Sequence, residues 1–312
     1  MLPLIRRVAS FIGRGLQMDI RDRITGRLRK LVRDSVPTGD KRATSIAVAS
    51  SKGGVGKTTT AVNLAVAFAQ KGYKTLLLDL DPQAHVASAL RTDSVEQVAP
   101  ISEVLLGRKA EVVEVARRSS ITNLDLAGSD KGLAETEMVL SAKIGKELLL
   151  AGALEITRSH YDIVVIDCPP NLGTLSLNAL CASDYLLVPC DMSVLALEGV
   201  SDIFHAVDTV QNRLGRSLEI CGVLPTRVDA RAKRINADIS QSAQDLYGEY
   251  LLSTQIPQNS ALNKAHLAGK SVFEFDGRST GAQAYVALAE ELEDRLSLCH
   301  KNEIVEVVRA RA

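Results

Sequence analysis

From residue 44 onward, short runs of apolar residues alternate with longer segments in which apolar residues recur at helical spacing. The short runs are almost continuously apolar, as is typical of strands that a parallel sheet buries on both faces. They occupy residues 45–50, 75–80, 124–128, 162–167, 185–190, 220–225 and 251–256. Helical patterns over 59–72 and 194–215 each end at a glycine, a common helix terminator. This alternation predicts an α/β fold: a doubly wound, mostly parallel sheet of about seven or eight strands flanked by helices.

The N-terminal segment differs from the rest of the chain in charge and pattern. Residues 1–42 contain eleven Lys and Arg against four Asp, so the rest of a chain with zero net charge carries −7. Apolar residues form two helical stripes among the arginines, namely Leu4, Ile5, Val8, Phe11 and Ile12, and then Ile20, Ile24, Leu28 and Leu31. Basic amphipathic helices suit a partner's groove, an anionic membrane surface or nucleic acid. An extra helical hairpin packed on the main domain is the alternative.

Three segments are therefore expected along the chain. Residues 1–42 form a basic amphipathic helical extension that ends in a linker, residues 43–298 form the main domain, and residues 299–312 form a C-terminal tail. The five cysteines are scattered and never spaced C-x-x-C, which fits reduced thiols in a cytoplasmic protein. No apolar run approaches the roughly 20 residues of a membrane span. Arg14 interrupts the first apolar stretch, so no signal peptide is expected.

The segment "SSKGGVGKTTT" (50–60) stands between a predicted strand and a predicted helix. A glycine-rich loop in this context cradles phosphates, because successive backbone N–H groups and the positive helix end point toward them. Lys57 would reach the β- and γ-phosphates, and the Thr58 hydroxyl would bind Mg²⁺. Two residues are unusual for the pattern G-x-x-x-x-G-K-[ST]: Ser51 replaces its first glycine, and Lys52 is an additional lysine.

The loop resembles that of the deviant Walker A ATPases of the ParA/MinD type, which reads KGGVGKT[ST] and has a signature lysine at the position of Lys52. In that family two monomers face each other with ATP between them, and the signature lysine crosses to the partner's phosphates. A cation from a second subunit stabilises charge on the transferring phosphoryl group, much as an arginine finger does. The resemblance thus implies that hydrolysis depends on pairing. The alternative is that Lys52 is a solvated lysine.

Two further segments, "LLLDLDPQA" (76–84) and "YDIVVIDCPP" (161–170), resemble the same family. Asp79 and Asp167 end apolar strands at the edge where α/β proteins bind ligands, and Asp167 suits a Mg²⁺-bound water. The resemblance implies that Asp81 positions the attacking water and helps to hold the Mg²⁺ shell. Alternatively, two carboxylates at this spacing can simply cap a turn, and a core strand can simply end in Asp.

The resemblance covers residues 44–298 and is closer to chromosome and plasmid partition proteins than to MinD. It implies three candidates for adenine contact, which are Thr226, Pro257 and Asn259. It also implies contacts to DNA phosphates that do not read sequence, from Arg231, Lys233 and Arg234. Gln258 and Ala261 replace two arginines of the family's I-P-R-N-x-R-L segment. Part of the positive charge for DNA must therefore come from elsewhere, and the candidates are Lys264, Lys270 and the N-terminal extension. A solvated helix face is the alternative for residues 231–234.

These similarities predict an ATP-dependent partitioning or positioning ATPase that is weak until a partner activates it. Its cofactors are ATP and Mg²⁺. Its partners are a second copy of the chain, non-specific double-stranded DNA and a ParB-like activator, which places it at the nucleoid in the cytoplasm. The catalytic candidates are Lys52, Lys57 and Asp81. The candidate metal ligands are Thr58, Asp81 and Asp167. The loop residues expected to bind ATP are Lys52, Gly53, Gly54, Val55, Gly56, Lys57, Thr58 and Thr59. Two other classes stay open: a MinD-like membrane-surface ATPase that uses residues 1–42, and a metabolic P-loop enzyme.

Overall fold

The computed structural model describes residues 42–90, 99–229, 231 and 233–298. For residues 194, 195, 233–238 and 240, the description is limited to the backbone. The predicted extension over residues 1–42, apart from Arg42, lies outside the described residues, as does the predicted tail over residues 299–312. The roles of these two segments stay predictions.

A seven-stranded sheet forms the centre of the described domain. Its strands are β1 (Thr44–Val48), β2 (Thr75–Asp79), β3 (Ala116–Arg118), β4 (Leu124–Ala127), β5 (Ile163–Asp167), β6 (Tyr185–Cys190) and β7 (Glu219–Pro225). Their order across the sheet is β3-β4-β2-β5-β1-β6-β7, and every neighbouring pair is parallel except β3/β4 at one edge. This topology confirms the predicted doubly wound, mostly parallel α/β fold.

Two details of the strand prediction are wrong. The apolar run over 251–256 is not a strand, and within it Leu251 forms an isolated bridge to β7. Leu252 and Ile256 donate to backbone carbonyls of β7, but between them the N–H groups of Ser253 and Thr254 donate to the Glu291 carboxylate, which interrupts the pairing. Conversely, β3 is missing from the prediction. Its sequence Ala-Arg-Arg lacks an apolar run, because it lies on an edge that is not buried on both faces.

Helices pack on the sheet with apolar faces of their own. They are α1 (Lys57–Gln70), α2 (His85–Ala89), α3 (Ile101–Leu105), α4 (Gly132–Ser141), α5 (Leu149–Ala153), α6 (Thr174–Ala182), α7 (Val194–Leu214), α8 (Lys233–Tyr247), α9 (Ser260–Ala268), α10 (Val272–Asp276) and α11 (Thr280–Arg295). The predicted helices over 59–72 and 194–215 are α1 and α7. Short 3₁₀ turns cover Val112–Glu114, Lys146–Leu148 and Thr157–His160.

Two hydrophobic cores lie on the two faces of the sheet. In β2, Leu76 and Leu78 belong to one core and Leu77 to the other, which is the alternation that a strand imposes on its side chains. Both faces are therefore covered, and this accounts for the continuous apolar runs in the sequence. Among the described helices, none combines the length and the apolar character needed to cross a membrane.

The strand order brings the predicted site segments together at one edge of the sheet. β5 lies between β1 and β2, so Asp167 pairs in register with Val48 on one side and with Asp79 on the other. Parallel strands end at the same edge, and the loops after β1, β2 and β5 therefore emerge side by side. Open α/β sheets bind ligands at this edge, next to the point where the strand order reverses.

Candidate functional site

The loop between β1 and α1 has the backbone of a phosphate cradle. Gly54 and Gly56 have φ values of 75° and 93°, a region that favours glycine. Gly56 directly precedes α1, and no side chain of a described residue caps this helix, so its first N–H groups are available to an anion. Ser51 has an ordinary negative φ, and its hydroxyl donates to the Gly199 carbonyl at 2.9 Å. A glycine is therefore not required at position 51.

Lys57 is the first residue of α1, and its side chain is buried. Its ammonium group donates to the carbonyl oxygen of Lys52 at 2.8 Å. Burial lowers the pKa of Lys57, and the nearby Asp167, Cys168 and Asp81 partly offset that shift. The ammonium group thus lies within the loop and close to the acidic ends of the strands.

Two buried carboxylates, Asp79 and Asp167, lie on neighbouring strands at this edge. Asp79 accepts hydrogen bonds from the N–H groups of Asp81 at 2.9 Å and Val86 at 3.3 Å, so it holds the turn that carries Asp81. Burial raises the pKa of Asp79. Burial also raises the pKa of Asp167, and the charge of Asp79 adds to that shift. Neither side-chain oxygen of Asp167 has a hydrogen-bond partner among the described residues.

A buried carboxylate without a partner fits a cation, and the neighbouring groups fit Mg²⁺, which prefers oxygen ligands. The Thr58 hydroxyl, on the second residue of α1, is near enough to Asp167 to offset part of its raised pKa. Asp81 is largely buried, and its carboxylate accepts the N–H of Gln83 at 2.9 Å, which fixes its orientation. The predicted metal residues Thr58, Asp81 and Asp167 therefore lie together beside the phosphate cradle.

The additional lysine of the loop forms an ion pair within its own subunit. The Lys52 ammonium donates to the two carboxylate oxygens of Asp191 at 3.2 and 3.0 Å, and to the Ser193 hydroxyl at 3.0 Å. The Lys52 side chain is 33% exposed, so this lysine is partly buried and held by partners. Its crossing to a second subunit stays a prediction.

Asp191 and Ser193 are site residues that the sequence pattern does not identify. Asp191 directly follows β6, so the same signal that identifies Asp79 and Asp167, an acidic residue at the end of a buried strand, could have identified it. Ser193 caps α7 by accepting the N–H of Ala196, which is a common role for serine. Their contact with Lys52 has no sequence signal, because Asp191 is 139 positions away.

The predicted adenine contacts come from two segments that the structure joins. The backbones of residues 225–228 and 256–258 are hydrogen-bonded to each other, and Pro257 forms a bridge within this pairing. Thr226 is buried, and its hydroxyl donates to the Val55 carbonyl of the phosphate loop at 2.8 Å. The end of β7 is therefore tied directly to the loop.

Asn259 has a defined structural role next to these segments. Its side-chain oxygen accepts the N–H of Ala261 at 2.7 Å, which caps α9, and its amide donates to the Thr280 hydroxyl at 2.7 Å. These bonds fix the loop before α9. Contact with a base by Thr226, Pro257 or Asn259 stays a prediction.

The predicted DNA contacts lie on two separate segments. Arg231 is exposed just before α8. Lys233 and Arg234 are the first two residues of α8, and their side chains lie outside the described part of the chain. Lys264 on α9 and Lys270 after it are both exposed. These cations are accessible where they are described, and their contact with DNA stays a prediction.

Comparison with known proteins gives consistent results. A family model described as "AAA domain" matches residues 43–220. The "Sporulation initiation inhibitor protein Soj" of Bacillus subtilis is 37% identical over 247 residues, which make up 79% of this chain and 97% of the relative. The "Chromosome partitioning protein ParA" of Caulobacter vibrioides is 35% identical over 252 residues, or 80% of this chain and 94% of the relative.

A solved structure adds a nucleotide and a metal to the comparison. It is described as cobyrinic acid a,c-diamide synthase from Mycobacterium smegmatis with bound ADP and magnesium. It is 32% identical, has a TM-score of 0.70, and the match covers 82% of this chain and 96% of that one. The family model covers more than half of this chain, and the relatives are matched over nearly their full length. The chain therefore belongs to the ParA/MinD family of P-loop ATPases, with Soj and the chromosome partitioning proteins among its relatives.

Proposed function

We propose that this chain is an ATP-dependent partitioning or positioning ATPase that hydrolyses ATP as a pair of subunits. The observation that carries the proposal is a phosphate loop with two lysines, Lys52 and Lys57, next to the unpartnered buried carboxylate of Asp167. The similarity to Soj and ParA over almost their whole length supports a role in partitioning.

ATP and Mg²⁺ are the cofactors, and each has residues in this chain that suit it. When bound, Mg²⁺ supplies charge neutralisation at the phosphates. Backbone N–H groups of residues 53–59 hold the phosphates, and the Lys57 ammonium adds a buried positive charge. Thr58 and Asp167 offer oxygens for the hydrated cation. Asp81, whose orientation is fixed by backbone hydrogen bonds, orients the attacking water.

Pairing completes the site in the proposed cycle. Two subunits close face to face with the nucleotides between them, and each Lys52 stabilises charge on the partner's phosphates. Hydrolysis in a single subunit is slow, and a ParB-like activator raises the rate of the pair. Because the paired and single forms differ in DNA affinity, ATP shifts the population between a DNA-bound and a free form.

Non-specific double-stranded DNA is the proposed track for cargo. Arg231, Lys233 and Arg234, together with Lys264 and Lys270, supply positive charge for phosphates. Each such contact releases counterions, so affinity falls as the salt concentration rises. Binding of this kind places the protein on the nucleoid in the cytoplasm, where a plasmid, a chromosome or a protein cluster can be its cargo.

Two other functions predict different binding behaviour. A MinD-like ATPase would bind an anionic membrane surface through the basic residues 1–42. A metabolic enzyme would couple ATP to a small molecule, and the related Mycobacterium smegmatis structure is described as a diamide synthase. The experiment therefore includes a separate measurement for each alternative.

The deciding experiment measures binding of the full chain, with ATP or ADP, to random-sequence DNA and to anionic liposomes at low and high salt. A partition ATPase binds DNA with ATP, loses that binding with ADP, and binds less tightly as salt rises. Arg108→Ala, at an exposed arginine far from the loop in sequence, serves as the charge-matched control for Arg231→Ala. Binding to liposomes but not to DNA would contradict the proposal. Full hydrolysis without DNA, membrane or protein activator would favour the metabolic class.

A further inference from the structure

The contacts of Lys52 raise a question about how the proposed pairing begins. Lys52 is the first residue of the "KGGVGKT" stretch, and its ammonium is bound to Asp191 and Ser193 of the same subunit. A lysine ammonium has three N–H donors, and the three contacts of Lys52 with Asp191 and Ser193 engage them all. To reach the phosphates of a facing subunit, Lys52 must therefore give up at least one of these contacts.

The partners of Lys52 are themselves well positioned. Asp191 follows β6 directly, and the Ser193 hydroxyl donates to its carboxylate at 2.7 Å. Burial raises the pKa of Asp191, but hydrogen bonds from Ser193 and Lys52 outweigh it, so the net pKa lies below the ordinary value. Asp191 is therefore charged at neutral pH, and it presents a fixed acceptor to the lysine.

The surroundings of Lys52 have hydrogen bonds that do not involve its ammonium. The Ser193 hydroxyl is 3.3 Å from the Ala196 nitrogen, whose N–H it accepts, and it donates to the Asp191 carboxylate. Ser51, next to Lys52, is separately bound to the Gly199 carbonyl of α7. The loop and the start of α7 are thus connected by bonds other than those of the Lys52 ammonium, and we expect the lysine side chain to change partners without breaking them.

We propose that Asp191 and Ser193 are positioning residues that retain Lys52 in the unpaired subunit and thereby oppose ATP-driven pairing. The inference rests on the proposed function, because it needs Lys52 to act on a second subunit. A symmetric pair must break two such contacts, one in each subunit. The ion pair therefore raises the protein concentration at which pairing occurs.

The first test is analytical ultracentrifugation with a non-hydrolysable ATP analogue over a range of protein concentrations. Asp191→Asn keeps the shape of the side chain and removes the charge. Since a partly exposed ion pair is worth about threefold in an equilibrium constant, two of them give about a tenfold lower dimer dissociation constant. Asp202→Asn, at an exposed position on α7, is the matched control and leaves pairing unchanged. An unchanged or weaker dimer in Asp191→Asn would overturn the inference.

The same experiment separates this inference from the proposed function. If the wild-type chain pairs with the analogue and Asp191→Asn pairs no better, the retention of Lys52 is wrong and the partition ATPase stands. If the wild-type chain stays monomeric at every concentration, both proposals fail together. Asp191→Glu retains the charge and should return the dissociation constant toward the wild-type value.

A second measurement reports on Lys52 without any pairing. An amine engaged by a carboxylate reacts more slowly with an acetylating reagent, so mass spectrometry of the nucleotide-free chain can compare Lys52 with the exposed Lys270. The ratio of their rates should rise about threefold in Asp191→Asn, the same factor as the lost ion pair. It should not change in Asp202→Asn. An unchanged ratio in a folded Asp191→Asn protein would overturn the inference.

Discussion

The two ends of the site differ in how their polar side chains are satisfied. At the phosphate end, which includes Lys57 and Asp167, charged side chains lie buried near one another. At the base end, formed by the predicted adenine contacts Thr226 and Asn259, polar side chains bind the protein's own backbone and hydroxyl groups. Lys57 and Asp167 have pKa values shifted by burial, and Asp167 has no partner among the described residues. Thr226 and Asn259, by contrast, are engaged with Val55, Ala261 and Thr280.

This difference has a physical meaning. Buried charges without partners cost free energy in the isolated protein, and a ligand of complementary charge recovers it. The phosphate end is therefore built for a specific charged ligand, and its residues should dominate affinity and hydrolysis. At the base end, satisfied polar groups position the loops, and substitutions there should mainly change stability.

The largest expected effect comes from removing the buried cation of the phosphate loop. Lys57→Ala should reduce ATP hydrolysis by about 100-fold or more, because this charge acts in a buried site where it is poorly screened. Isothermal titration calorimetry with an ATP analogue should show the matching loss of affinity. Lys143→Ala removes an exposed lysine outside the loop and should leave both quantities unchanged. Equal losses in the two variants would contradict a specific role for Lys57.

The next effect is expected at Asp167, where a substitution should lower activity and raise stability. Asp167→Asn should lose hydrolysis by about 100-fold. It should also raise the free energy of unfolding of the nucleotide-free protein at pH 8 by about 1–2 kcal/mol, because an amide does not bear the cost that burial and Asp79 impose on a carboxyl group with a raised pKa. Urea denaturation measures the change. A destabilised Asp167→Asn protein would show that the carboxylate is satisfied by contacts that the structure does not contain.

The same carboxylates predict a pH dependence. Their pKa values are raised in the folded state, to about 7 for Asp79, so the folded protein holds these protons more tightly than the unfolded chain does. Stability from this source is therefore highest at low pH and decreases as the pH rises through about 7. Urea denaturation at a series of pH values between about 5.5 and 8 measures this dependence. The free energy of unfolding should decline more steeply with pH in the wild type than in Asp167→Asn. Parallel curves would contradict the assignment.

A smaller effect is expected at the exposed cations. Arg231→Ala should weaken ATP-dependent DNA binding by about threefold to tenfold and reduce the salt slope by about one. Nucleotide affinity should not change, because Arg231 is exposed and lies outside the phosphate loop. Fluorescence anisotropy with labelled DNA over a salt series measures both quantities. A loss of DNA binding with an unchanged salt slope would indicate a structural role instead.

The smallest effect is expected from the cap of α9. Asn259→Ala removes the acceptor for the Ala261 N–H and should lower the free energy of unfolding by about 1 kcal/mol, whereas Asn259→Asp keeps the cap and should cost less. Thermal denaturation compares the two. A large loss of ATP affinity in both variants would mean that Asn259 contacts the base directly, and the contrast between the two ends of the site would then be weaker.

The sequence predicts the parts of this protein that depend on local residue patterns. Apolar runs identify the strands that are buried on both faces, and acidic residues at their ends locate Asp79 and Asp167. The pattern fails at β3, where an edge strand needs no apolar run, and at 251–256, where Glu291 captures two backbone N–H groups. The resemblance singles out Lys52, but its partner Asp191 depends on tertiary packing across 139 positions.

Mixing two inactive variants shows whether Lys52 acts on the nucleotide of the facing subunit. Lys52→Ala retains Asp81 but offers no lysine to a partner, whereas Asp81→Ala offers the lysine but cannot orient the water. In a mixed pair, the Lys52→Ala subunit keeps its own Asp81 and receives Lys52 from its partner, so one site is complete. ATP hydrolysis, absent in each variant alone, should return on mixing. If activity does not return while sedimentation shows that mixed pairs form, Lys52 does not act across the interface.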